Sequence, residues 1–129
     1  MNKVEINGIY YNLNACEKTA EVTENPNKYS GAVSIPETVS YNGKTYTVTS
    51  IGNEAFCDYE CLESIDLPDS VTRIGDDAFC DYECLESITI PNSVKSIGYG
   101  AFAGCKGLES VNIPDSVTSI GDDAFYGCI

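Results

Sequence analysis

The chain has 129 residues, enough for one domain with a continuous core, and its 20 acidic residues against 7 basic ones leave a net charge of −13. Such a surplus repels nucleic-acid phosphates and anionic lipid headgroups, so neither is expected as a partner. Histidine and tryptophan are absent, which removes the commonest general acid/base and any nucleophile activated by imidazole.

No apolar run approaches the ~18 residues of a membrane span. The start, MNKVEINGIYYNL, has no continuous apolar stretch behind its basic residue, so no export signal is expected and the chain reads as cytoplasmic or as trimmed of a leader. Asn7-Gly8 lies between Val4-Glu5-Ile6 and Ile9-Tyr10-Tyr11. That pair is a hairpin signal, because a type I′ turn needs positive φ at both central residues. A further extended run, Thr19 to Thr23, ends at the turn Asn25-Pro26-Asn27. Residues 1–32 are therefore expected to form a β-hairpin cap that covers the open end of the remaining chain. Five tyrosines fall in this region and its junction, Tyr10, Tyr11, Tyr29, Tyr41 and Tyr46, and are expected mainly to pack the cap.

From Ile51 the chain repeats itself. IGNEAFCDYECLESIDLPDSVTR, IGDDAFCDYECLESITIPNSVKS and IGYGAFAGCKGLESVNIPDSVTS start at Ile51, Ile74 and Ile97, a period of 23, and IGDDAFYGCI begins a fourth copy at Ile120. A fixed period of this length implies stacked coils that bury a shared core. Residues 33–50 read as a partial first repeat, since Val33-Ser34-Ile35-Pro36 matches Ile65-Asp66-Leu67-Pro68, with an inserted hairpin turning at Asn42-Gly43. Residues 51–129 are the array, one cooperative unit with the rest. In each copy the alternation of Ile65 and Leu67 about Asp66 marks a strand with one buried face, ended by Pro68, Pro91 or Pro114. A second extended piece, Val71 to Ile74, comes next, and the acidic pair Asp76-Asp77 ahead of Ala78-Phe79 is expected to start a short helical turn.

The repeated string Leu-Glu-Ser-Ile-x-Ile-Pro-x-Ser-Val-x-x-Ile-Gly-x-x-Ala-Phe-x-Gly-Cys resembles the BspA-like subclass of leucine-rich repeats, found in bacterial surface proteins and some parasites; the match spans Val33 to Ile129. The resemblance implies a right-handed solenoid with a β-sheet on one face, carried at the cell surface or secreted, that adheres to proteins, cells or glycans and has no catalytic residues and no cofactor. Members usually have longer arrays, so the chain is expected to be a fragment or a minimal array.

Seven cysteines remain to be placed. Cys105 and Cys128 stand three residues after Phe102 and Phe125 and are expected to be buried, inert thiols. Cys57, Cys61, Cys80 and Cys84 form two Cys-x3-Cys pairs, a weak zinc pattern because the period itself generates it. Equivalent residues on adjacent rungs stand ~4.7–4.9 Å apart with parallel Cβ vectors, wider than the ~3.8 Å Cβ spacing of a disulfide. Mostly free thiols are therefore expected, with zinc and disulfide as alternatives.

The outward positions of the first strand line up in two rows, Asp66, Thr89, Asn112 and Glu63, Glu86, Glu109. These rows are the sequence's candidate surface for a protein or glycan partner, the first being where the copies differ. Calcium on the glutamate row lacks any supporting ligand loop. The alternative function is a structural spacer that self-associates through its last, uncapped repeat.

Overall fold

A computed structural model of the chain describes residues 3–24, 31–57, 62–80, 87–105 and 110–125. Both asparagine-glycine turns form as their chemistry dictates. Asn7 and Gly8 take φ of 51° and 87° and join β1 (Lys3–Ile6) to β2 (Ile9–Asn14). Asn42 and Gly43, at 50° and 79°, join β5 (Thr38–Tyr41) to β6 (Lys44–Ile51), which pair antiparallel from Thr38↔Thr47 to Tyr41↔Lys44. Between β2 and β3 (Thr19–Val22) the chain reverses at Lys18, φ 59°. There the Asn14 side-chain oxygen accepts from the Cys16 and Glu17 amides at 3.0 and 3.1 Å, an Asx turn. The expected turn at Asn25-Pro26-Asn27 lies outside the described residues.

The N-terminal strands and the repeats share one sheet. β3 runs parallel to β6, and β6 leads on to β8 (Arg73–Ile74), β10 (Ser96–Ile97) and β12 (Ser119–Ile120), all parallel. Two neighbouring rows of side chains cross this sheet. One is apolar and turned inward: Val4, Tyr11, Val22, Ile51, Ile74, Ile97 and Ile120 are successive register partners, and Tyr11 through Ile97 are at most 1% exposed. Its neighbour, one residue earlier in the parallel strands, is polar throughout and lies on the opposite face of the sheet: Lys3, Asn12, Glu21, Ser50, Arg73, Ser96 and Ser119, of which Ser50 is buried at 9% exposure.

Each coil is locked to the next by backbone bonds. Lys95 donates its amide to Thr72 and Gly98 to Ile74, both at 2.8 Å, and Phe79 donates to Ala101 at 2.7 Å. Inside the stack Phe56, Phe79, Phe102 and Phe125 lie nearly parallel, ring centroids 5.2–5.3 Å apart. Two of the three Pro-x-Ser-Val serines have the same kind of task. Ser93 and Ser116 donate their hydroxyls to the carbonyls of Val71 and Val94 in the preceding coil, at 2.6 and 2.7 Å.

No helix occurs among the described residues, which corrects the expected helical turn after Gly75. The segment makes single turns, with Ala78 donating to Gly75 and Cys80 to Asp77. Two things stop it from continuing. Glu54, Asp77, Gly100 and Asp123 all take left-handed φ between 54° and 61°, and the Phe79 amide that would serve an intrahelical bond goes to the next coil. The acids cap that next coil instead: Asp76 Oδ1 accepts from the Tyr99 amide at 2.9 Å, as Asn53 Oδ1 accepts from Asp76 at 2.8 Å.

The first strand of each coil makes a less continuous ladder than expected. β4 (Gly31–Ser34) pairs with β7 (Leu62–Asp66), and β9 (Ser87–Thr89) with β11 (Ser110–Asn112), but the described residues show no ladder joining β7 to β9. Among the described residues the longest continuous ladder is therefore carried by the second extended piece.

Candidate functional site: the outer strand faces

The expected row Asp66, Thr89, Asn112 divides at that break. Thr89 and Asn112 are register partners, whereas Asp66 pairs with Ser34. Asp66 and Thr89, both exposed, nevertheless line one groove of about 470 Å3, together with Asp69, Leu67 and Pro91. Asp66 and Asp69 make its character acidic. Of the glutamate row, Glu63 falls where the β4–β7 register slips, between Leu62↔Gly31 and Ser64↔Ala32. Glu86 and Glu109 lie outside the described residues.

The polar row on the continuous sheet is a second candidate, and strand alternation read coil by coil does not find it. Its centre is an ion pair between β8 and β3: Arg73 Nη2 lies 3.0 Å from Glu21 Oε2, with side chains 53% and 32% exposed. At that exposure solvent screens the attraction, and the pair contributes about 0–1 kcal/mol to stability. The Ser50 hydroxyl donates to the same carboxylate oxygen at 3.5 Å. Thr49, Thr72, Asn12 and Asn14 widen this into a shallow groove beside the ion pair. Farther along, Lys3 Nζ stands 5.9 Å from the Tyr10 ring centre, a cation–π contact. The four segments Val48–Ile51, Val71–Ile74, Val94–Ile97 and Val117–Ile120 contain no acid, in a chain with 20 of them. They offer hydroxyls, Arg73 and Lys95 instead.

Of the four described cysteines, Cys16 and Cys105 are thiols as expected and one pair departs from expectation. Cys57 and Cys80 form a disulfide between adjacent coils, with Cα atoms 4.6 Å apart. Rung spacing does not forbid the bond because 4.6 Å falls within the ~4.4–6.8 Å range of disulfide Cα separations, and the two side chains need only lean toward each other. Two bonded sulfurs are not thiolates, so the four-cysteine zinc alternative fails at Cys57 and Cys80. Cys61 and Cys84 lie outside the described residues, as does Cys128. No metal-holding cluster occurs among the described residues. Cys105 is buried as expected, and its thiol donates to the Phe79 carbonyl at 3.0 Å. Of the five tyrosines noted in residues 1–50, Tyr11 and Tyr46 are buried while Tyr41 is 37% exposed.

Comparison with known proteins agrees with the geometry. A family model of the BspA-type leucine-rich repeat region, in 6 copies, matches residues 33–129. Among solved structures, a leucine-rich repeat protein from Bacteroides ovatus is 38% identical with a TM-score of 0.84, over 96% of this chain and 33% of that one. A leucine-rich cell surface protein from Faecalibacterium prausnitzii is 30% identical with a TM-score of 0.77, over 99% of this chain and 41% of that one. The pneumococcal vaccine antigen PcpA, at 16% identity and a TM-score of 0.63, shares the fold. The chain thus spans between a third and about two-fifths of the first two relatives. No functionally curated protein matches the sequence.

Proposed function

The chain belongs to the BspA-type leucine-rich repeat family, and from that premise we propose that it is a noncatalytic binding module of a bacterial cell-surface or secreted protein, acting in adhesion to a protein or glycan. It does so as a right-handed solenoid of 23-residue units, closed at one end by the hairpin cap. The observation that carries this reading is the outward polar row from Lys3 to Ser119. It crosses cap and coils in one register beside a fully apolar inward row. Long, repeated, flat arrays of this kind supply the extended surfaces through which repeat proteins bind. A surface location also agrees with the Faecalibacterium relative being a cell surface protein and with the disulfide Cys57–Cys80, since such bonds persist in oxidising compartments.

The test is a binding panel of immobilised extracellular-matrix proteins and glycans, probed with the wild-type chain, with Arg73→Ala/Ser96→Tyr and with Asp66→Ala/Thr89→Tyr. Saturable binding lost in the first double variant places the partner on the continuous sheet, and loss in the second places it in the acidic groove. A panel that neither variant changes, or that binds nothing, contradicts the reading.

A further inference from the structure

The third repeat departs from the others at one corner. After the Ile-Gly that opens each copy stand Asn53-Glu54, Asp76-Asp77 and Asp122-Asp123, but in the third copy Tyr99-Gly100. The first member of the pair caps the coil that follows, Asn53 Oδ1 accepting from the Asp76 amide and Asp76 Oδ1 from the Tyr99 amide. A tyrosine carries its oxygen at the far end of the ring and cannot continue this column to Asp122, so a bond between coils is forgone. The ring gains no burial in exchange. At 52% exposure Tyr99 is the most exposed large apolar side chain among the described residues, and stability does not account for it.

Tyr99 borders a groove of about 370 Å3 that crosses the coils beside the outward polar row. Arg73, Asp76, Ser96 and Ser119 line it with exposed or half-buried side chains. Its aliphatic members, Ile74 and Ile97, are at most 1% exposed, so the Tyr99 ring is the apolar side chain that a bound molecule meets. Arg73 gives Glu21 a hydrogen bond through Nη2, and a guanidinium has further N–H donors in its fork.

We propose that this groove is a glycan subsite, in which one neutral hexose of the partner lies with its C–H face on the Tyr99 ring. The inference rests on the reading of the chain as a binding module and names the class of its partner. A pyranose has weakly positive C–H bonds on one face, complementary to the negative face of an aromatic ring, and a rim of hydroxyls that each donate and accept. The groove offers both complements: N–H donors on Arg73, carboxylate acceptors on Asp76, and serine hydroxyls that do either. An ion fits less well, because Arg73 opposes a cation and Asp76 an anion. A protein anchor also fits less well, since interface hot spots occupy well-packed, desolvated pockets, whereas every other exposed side chain lining this groove is polar.

The test titrates the full 129-residue chain with the methyl glycosides of glucose, galactose and mannose and follows amide shifts by NMR. At least one of them is expected to shift Arg73 to Asp76, Ser96 to Tyr99 and Ser119 to Gly121 saturably, with saturation transfer from tyrosine ring protons to the sugar. Tyr99→Asn gives the third copy the capping amide that Asn53 supplies in the first. It is expected to raise the urea midpoint while weakening the hexoside by about tenfold, which separates loss of binding from loss of fold; Tyr99→Phe keeps the ring and the binding. No saturable shift with any of the three sugars, or undiminished binding to Tyr99→Asn, overturns the proposal. A lower urea midpoint in Tyr99→Asn also overturns it, because the tyrosine then serves stability. If the sugars fail but an immobilised matrix protein binds and Arg73→Ala/Ser96→Tyr abolishes that binding, the glycan assignment falls and the module reading stands; if nothing binds in either assay, both fall.

Discussion

Replacing Phe79 by alanine tests the stacking that holds the coils together. Phe79 is fully buried, with Phe56 at 5.3 Å on one side and Phe102 at 5.2 Å on the other. Truncating a buried phenylalanine costs about 3–5 kcal/mol, and the loss of two ring contacts at roughly 0.5–1.5 kcal/mol each places this site at the upper end, near 5. Phe125 ends the stack, partly buried and with Phe102 as its ring neighbour, so Phe125→Ala is expected to cost about 2 kcal/mol. Urea titrations followed by circular dichroism measure both. With a slope of about 2 kcal/mol per molar, the midpoint falls by about 2.5 M for Phe79→Ala and by about 1 M for Phe125→Ala. Phe79→Leu keeps most of the volume and is expected to lose less than half as much as alanine. Equal costs at the two phenylalanines, or a cost below about 2 kcal/mol at Phe79, would refute a core built from a continuous ring column.

Gly98→Ala is expected to cost about 3 kcal/mol in the same titration, because its Cβ would stand 2.6 Å from the Asp76 nitrogen and 2.7 Å from the Gly75 carbonyl carbon in the preceding coil. Gly43→Ala meets nothing within 4 Å at φ +79° and should cost only the ~1–2 kcal/mol of left-handed backbone; a reversed order contradicts the close packing of coils. Reduction of Cys57–Cys80, which closes a separation of 23 residues, is expected to lower stability by about 3 kcal/mol. Peptide mapping of unreduced protein should recover the linked pair, and finding both sulfurs alkylated without reduction counts against it. Tyr11, whose pKa is raised from 10.0 to about 12, contributes stability that is complete below pH 10 and is lost as pH rises toward 12, about 1.4 kcal/mol per unit. Unfolding measured at pH 9 and pH 12 should show that loss in the wild type and a smaller one in Tyr11→Phe; an equal loss in both is the contrary result.

Local chemistry made much of the architecture readable. Asn7-Gly8 and Asn42-Gly43 can form few turns other than the tight hairpins they do form, and the recurrence of Ile, Ala-Phe and Pro-x-Ser-Val gives the stacked columns directly. Two features depend on contacts between distant residues and leave no local mark. The parallel pairing of β3 with β6 joins residues such as Val22 and Ile51, so the cap reads as a lid in sequence although it is part of the same sheet. The acids after Gly75 look like a helix start because acidic residues favour helix N-termini, but their oxygens and left-handed backbones serve the next coil.

The candidate surface was legible in its principle and less so in its position. Alternation around Asp66 identified a strand with an outward side, and Asp66 and Thr89 do share a groove. The longer outward row was hidden because the later coils each give this sheet a strand of two residues, as at Arg73–Ile74, and the row only one of them, too short for alternation to register. The signal available was the residue before each repeat's isoleucine, Ser50, Arg73, Ser96 and Ser119, where one copy departs from serine. Rung spacing, applied without side-chain lean, gave the wrong expectation at Cys57 and Cys80.

The most direct test of a binding face on the continuous sheet is differential hydrogen exchange of the chain alone and with whichever immobilised protein or glycan it binds. Protection is expected at Asn12, Glu21, Ser50, Arg73, Ser96 and Ser119. Protection confined to the β7–β9 groove around Asp66 and Thr89, with the sheet row unchanged, would contradict it.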